Sequence, residues 1–250
     1  SERVTDHLPK SEQFTPKQRL WYIRAKQVVI SSGSIERPIV FGNNDTPGVV
    51  LASAAKEYMK VYGVLVGKKP VVFTNNDSAY ETAIEFKKNN INPIVLDSRQ
   101  DSDSEIIKEA KSLGIDIKFS HVVVAAKGYK KVKSCDIAEI SEDKQNLNQI
   151  KNIECDCICV SGFWTPTIHL ASQSGGKTKF KEEIDAFVPD KSKQKEVTLG
   201  SANGVFTLEE TLKTSFDKGF ELSKEITNNN NSQQIPKVSE KKHSKHDKFW

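Results

Sequence analysis

The chain contains 250 residues, 36% of them hydrophobic and 28% charged, and carries a formal net charge of +4. That length can bury one large core or two smaller ones, and the polarity is that of a globular protein. No apolar run approaches the roughly 18 residues of a membrane-spanning helix, and the polar opening (Glu2, Arg3, Thr5, Asp6, His7) has no signal-peptide pattern; the small basic excess, much of it from lysines between 237 and 248, makes no electrostatic case for nucleic acid.

In chain order, residues 1–17 read as a polar extended stretch with a turn near Pro9. Residues 18–26 read as a strand with alternating faces. Gln27, Val28, Val29 and Ile30 then run into the small residues Ser31, Ser32 and Gly33. This pattern predicts a buried parallel strand whose C-terminal end opens onto a ligand crevice. Pro38 keeps the following segment extended. Residues 51–62 have helical spacing, with Leu51, Ala54, Ala55, Tyr58 and Met59 on one face. A strand over 71–74, a helix over 78–90 and a strand over 93–97 make a right-handed βαβ unit. A helix over 104–113 ends at Gly114.

Three apolar alternations follow, at 116–119, 121–126 and 132–140, and Lys127-Gly128 marks a hairpin between the last two. Residues 145–149 read as a polar connector, 155–161 as a buried strand, and 162–166 as a turn. Residues 177–195 are polar, broken only by the apolar residues between 184 and 189. Val197 opens a last strand, Gly200 to Gly204 a glycine turn, and Thr207 with Glu210 a capping box for a helix reaching about Ile226. The composition of 228–250 predicts a disordered linker, and the apolar pair Phe249 and Trp250 then suggests the start of another domain. The single methionine, Met59, is a first hint of an excised or processed piece.

The βαβ unit invites a dinucleotide reading, with Asp97 placed where a ribose-binding carboxylate belongs. The glycine fingerprint is missing, however: Thr74, Asn76 and Ala79 stand at its three positions. Asn76 puts a side chain where a pyrophosphate must approach bare backbone, so a dinucleotide-type fold without ligand at this turn is favoured. Cys155, Cys157 and Cys159 alternate along a strand, all facing one side, and with Cys135 read as small buried side chains rather than metal ligands. Nothing points to secretion, so reduced thiols and a cytoplasmic location are expected. His243 and His246 read as part of a solvated tail, and His169 as a turn or core residue. No nucleophile elbow, P-loop or zinc-protease pattern occurs. Two loops remain as ligand candidates. One is Ser31, Ser32 and Gly33. The other is the glycine turn with Ser201, leading to a helix whose N-terminus favours an anionic group.

Several segments carry a resemblance. The run from Arg24 through Ser31, Gly33, Glu36, Arg37 and Pro38 is similar to a segment of the alpha subunit of heterotetrameric sarcosine oxidase. So are, in the same order, the runs from Asn44 to Ala54, Val72 to Tyr80 and Val160 to Leu170, and Glu2 to Leu8 fits its upstream strand. The resemblance spans about residues 2–224, and the 74–80 segment is its most specific part, because generic flavin reductases carry glycines there.

The resemblance implies an α/β fold: a dinucleotide-binding, thioredoxin-reductase-like three-layer domain with a small antiparallel β insertion. It implies an oxidoreductase subunit of an enzyme that oxidatively demethylates sarcosine to glycine, with folate accepting the one-carbon unit. Tightly held NAD belongs to the alpha subunit of that family, and FAD and covalent FMN to the complex, FMN near the alpha/beta boundary. The implied partners are the beta, gamma and delta subunits, with no nucleic acid and no membrane. Residues 1–62 would be the closing part of a first, NAD-binding domain and 63–166 a complete second dinucleotide-type domain. Residues 167–227 would be a return segment and helix completing the NAD domain, and 228–250 a linker before a folate-binding region. The glycine-rich fingerprint of the first domain does not occur in this chain. By position, the family's NAD contacts fall on Ser201, Phe206 and Leu208, with Ser31, Ser32 and Gly33 facing the same crevice. No residue is expected to act as acid, base or nucleophile, and the isolated chain is expected to be inactive. Two other readings stay open: a stand-alone pyridine-nucleotide/flavin oxidoreductase module, and a structural interaction domain without ligand.

Overall fold

The computed structural model describes residues 2–10, 13–227, 235, 238, 246 and 247. Strands β1 (Glu2–Arg3) and β2 (Gln18–Arg19) form a short antiparallel pair. Next come β3 (Val28–Ile30), β4 (Ser34–Glu36), β5 (Val49–Leu51), helix α1 (Ala52–Tyr62), β6 (Pro70–Thr74), α2 (Tyr80–Lys88), β7 (Ile94–Asp97) and α3 (Glu105–Ser112). Strands β8 (Asp116–Phe119), β9 (His121–Gly128), β10 (Val132–Ile140), β11 (Leu147–Glu154) and β12 (Cys157–Ser161) follow. The chain then forms β13 (Trp164–Pro166), α4 (His169–Gln173), β14 (Lys177–Lys181), β15 (Ala186–Lys191), β16 (Glu196–Thr198) and α5 (Leu208–Thr227).

The centre is a parallel five-stranded sheet in the order β5-β12-β6-β7-β8. All five residues of β6 are buried, as a strand covered on both faces requires. Its side chains alternate between two cores. Val72 joins Ala55, Met59, Ala83, Phe86, Val95 and Ile107 beneath the three helices. Val71 and Phe73 join Leu96, Val122, Val132, Ile137 and Ile158 beneath the antiparallel sheet β11-β10-β9. Helices, parallel sheet and antiparallel sheet thus make three layers, and the expected fold with its antiparallel insertion is present. A smaller cluster of Ile184, Ala186 and Val188 packs with Phe163 and Phe206 around the β14–β15 hairpin.

Several expectations are corrected. The strand expected over 18–26 is only two residues long, because beyond Arg19 no neighbouring strand completes its ladder, and Leu20, Trp21, Tyr22 and Ile23 are exposed. The strand at Val28 does pair in parallel with β16, but only Ile30 is buried, since β3 has that single neighbour. The polar connector at 145–149 runs into β11, an edge strand paired only with β10. Being wet on both faces, it shows no apolar alternation. The polar stretch 177–195 holds a hairpin turned near Asp185, at φ +47°. Cys155 lies just before β12 and enters the core under the antiparallel sheet beside Cys135, whereas Cys157 and Cys159 enter the core under the helices. His169 sits exposed at the start of α4. The linker expected over 228–250 lies outside the described residues, apart from Ile235, Val238, His246 and Asp247.

Two measurements check these layers. At Gly128, φ is +151° and a Cβ would fall 1.9 Å from the Lys131 carbonyl oxygen. Gly128→Ala is expected to destabilise the protein by about 1–3 kcal/mol, read by thermal denaturation. All four cysteines are free and buried, and burial together with the Cys155 contact pushes the Cys135 thiol up. Thiol-specific alkylation should therefore be negligible in the native protein and complete after unfolding.

Candidate functional site

Parallel pairing of β3 with β16 sets their C-terminal ends side by side, Ile30 opposite Thr198. The Leu199 N–H donates to the Ile30 carbonyl at 2.9 Å, so the loops that follow the two strands share one edge. Gly33, at φ +76°, takes a conformation that side chains disfavour, and a Cβ there would stand 4.0 Å from Ser201 Oγ. The Ser32 hydroxyl donates to the Thr167 carbonyl at 2.8 Å, and the Thr167 N–H donates to the Gly33 carbonyl at 3.0 Å. This clamps the first loop. Ser31 and Ser32 are exposed and Ser201 half-buried.

The structure therefore brings Ser31, Ser32, Gly33 and Ser201 together. Phe206 turns elsewhere, meeting Phe163 edge-on with centroids 5.0 Å apart, and Leu208 is exposed on the first turn of α5. The expected cap is present: the Glu210 N–H donates to Thr207 Oγ1 at 3.3 Å. Glu209 and Glu210 also occupy that first turn and oppose an anion at its N-terminus.

The second crevice opens at the C-terminal ends of β6 and β12, adjacent strands whose connections leave in opposite directions, the usual ligand position of an open parallel sheet. Here the protein fills it with its own polar groups. Asn76, 1% exposed, donates from Nδ2 to the Ser161 carbonyl at 3.1 Å and accepts at Oδ1 from the Ser78 N–H (2.9 Å) and hydroxyl (2.6 Å). Trp164 Nε1 donates to Ser78 Oγ at 3.1 Å.

Asp97, fully buried, accepts from Arg99 Nη2 at 2.7 Å, Arg99 Nε at 3.0 Å, the Arg99 N–H at 3.0 Å and the Tyr80 hydroxyl at 2.7 Å. Arg99 Nη1 also reaches Asp77 Oδ1 at 2.8 Å. The two carboxylates outweigh burial and hold the guanidinium firmly protonated. Burial and the neighbouring Asp97 push the Tyr80 phenol up, out of any acid–base role. The pyrophosphate position is taken by Asn76 and the ribose-binding acid is consumed, so this crevice does not fit a dinucleotide.

Beside the turn lies a cavity of about 450 Å³. Asn76, Asp77 and Ser78 line it on one side, Phe163, Trp164, Ile184 and Phe206 on another. His246, from the far end of the chain, completes the wall with its ring stacked on Phe163. Burial pulls the His246 imidazole below its ordinary range, and nearby Arg37 adds to this against the upward pull of Asp185. Sequence reasoning singled out Asn76 and Asp97 but missed Arg99, Tyr80 and the return of His246. An arginine two residues after a strand-end aspartate was the only local hint. Among the described residues no group of three or more His, Cys, Asp or Glu side chains could hold a metal, and no helix is long and apolar enough to cross a membrane.

The three-layer arrangement is a dinucleotide-binding type of fold, shared with solved oxidoreductases. Thioredoxin reductase of T. acidophilum superposes with a TM-score of 0.58 at 18% identity over 73% of this chain and 59% of its own. L-Proline dehydrogenase from P. horikoshii gives 0.55 at 24% over 81% and 35%. No family model matches the chain. In sequence it is 36% identical over 216 residues to sarcosine oxidase subunit alpha of Corynebacterium sp. (strain P-1), and 32% identical over 203 residues to that of Rhizobium meliloti (strain 1021). These matches take in 85% and 80% of this chain but only 22% and 19% of the relatives' length. The resemblance read from the residues is thus borne out over nearly all of the chain, as similarity to one segment of a much longer subunit.

The buried triad gives a direct test. Arg99→Met leaves Asp97 and Asp77 uncompensated and should cost about 3–5 kcal/mol in chemical denaturation.

Proposed function

We propose that this chain is a segment of a sarcosine oxidase alpha subunit, an oxidoreductase component that forms one wall of an NAD site and carries partner subunits. The observation behind this reading is the shared edge of β3 and β16, where side-chain-free Gly33 faces Ser201, while the second crevice is filled by Arg99 and its carboxylates. Gly33 and the clamped Ser32 would let a ligand approach backbone, and Ser201 would offer a hydroxyl to a ribose or phosphate. Phe206 and Leu208 are weaker members, since one faces the cavity and the other solvent.

NAD, when bound, supplies a nicotinamide hydride acceptor. FAD and FMN are proposed to sit in the complex, FMN near the alpha/beta boundary, and to serve oxidative demethylation of sarcosine to glycine with folate as one-carbon acceptor. The beta, gamma and delta subunits are the proposed partners. The chain's own contribution is binding and orientation. Residues 63–166, with their crevice filled from within, are proposed as scaffold, the role an interaction domain without ligand would have.

NAD content of the assembled enzyme tests the reading. After heat release and chromatographic quantification, Gly33→Val and Ser201→Trp should each retain less than about a tenth of the wild-type NAD, a loss of about 1.4 kcal/mol or more in affinity at limiting cofactor. Full NAD content in both variants would refute the site.

A further inference from the structure

The polar groups at the second crevice do not match a phosphate. Asn75, 2% exposed, follows β6 directly, where nucleotide-binding folds offer backbone N–H groups to acceptor-only oxygens. Here the Asn75 carbonyl, an acceptor, faces outward beside its side-chain amide, a donor. One acceptor and one donor together complement a peptide unit rather than a phosphate. A peptide unit occupies them: the Asp247 N–H donates to the Asn75 carbonyl at 3.0 Å, and Asn75 Nδ2 donates to the Asp247 carbonyl at 2.7 Å.

Three further contacts fix the same two residues. The Asp247 carboxylate pairs with Lys144, which lies between β10 and β11. The His246 ring lies face to face on Phe163, centroids 4.2 Å apart and planes 10° apart. His246 Nε2 stands 3.4 Å from Asp185 Oδ2, with both side chains under a tenth exposed. Phe163 in turn meets Phe206, so the contact reaches the turn leading into α5.

We infer that the crevice at the ends of β6 and β12 is a receptor for this chain's own His246–Asp247 segment, which straps the crevice shut. The occupant is set by geometry: a donor and acceptor on Asn75, a cation at Lys144 for the Asp247 carboxylate, and an aromatic face for the His246 ring. Without the strap, the Asn75 carbonyl and Nδ2 would lose these two partners, Oδ1 keeping only the Asn76 amide, and the cavity wall beside Phe163 would open to water.

Hydrogen exchange on the full-length protein, read by mass spectrometry, tests the strap. The tail variant His246→Gly/Asp247→Pro removes the ring and the donating N–H while leaving both central cores intact. In the wild type, the turn around Asn75 should exchange at least about tenfold more slowly than in that variant. In a separate protein, Lys144→Cys with Asp247→Cys should close a disulfide under mild oxidation, the native cysteines being buried. Equal exchange in wild type and tail variant, with no crosslink in the cysteine pair, would overturn the inference. So would protection of the 74–79 turn by added NAD in the tail variant, because the crevice would then be a nucleotide site that the tail merely covers.

Discussion

A single guanidinium organises the C-terminal ends of the central strands. Arg99 lies buried between Asp97 and Asp77, 2.7 and 2.8 Å from their oxygens. A buried cation survives only if its charge is matched and its donors are used, and a buried carboxylate only if its lone pairs are. Arg99 and the two aspartates meet these conditions for one another, and Tyr80 adds a further donor to Asp97. The ends of β6 and β7 are thereby tied at the point where a dinucleotide fold ordinarily leaves room for a ribose. The fold keeps its shape while the ligand position becomes part of the core.

The two crevices therefore diverge. At the edge of β3 and β16, the loops carry small residues, with Gly33, Gly200 and Gly204 at positive φ and Ser31 and Ser32 exposed. At the ends of β6 and β12, Asn76 spans to Ser161, and the residue before it receives a peptide unit from the C-terminal tail. With asparagine where the fingerprint has glycine, a side-chain lock stands in place of a backbone cradle.

The helical and parallel-strand elements were legible from periodicity. The α1, α2 and α3 segments and strands β6, β7 and β12 fall close to their expected bounds, because each carries a strong apolar pattern bounded by turns. The elements that escaped were those whose stability is borrowed. Strand β11 is held by its ladder to β10, and β14 and β15 by pairing around a three-residue apolar cluster. The reverse error at 20–26 has the same origin: alternation there promises a strand, yet no neighbour supplies the hydrogen bonds. Cys155 misled because a strand's alternation holds only where the strand has begun.

At the site, the absence of glycines at Thr74 and Asn76 was enough to argue against a phosphate cradle, since that requirement is local and steric. The proximity of Ser31, Ser32 and Gly33 to Ser201 needed the parallel pairing of strands separated by some 165 positions in the chain. The partners of Asp97 and the return of His246 to Phe163 lay further beyond reach. Local sequence determines which side chains a segment can hide and where its backbone can turn, because those are short-range properties. Which buried charge meets which partner, and which distant loop covers which crevice, is decided only when the three layers close and water is excluded, because only then does each unpaired polar group carry its full cost.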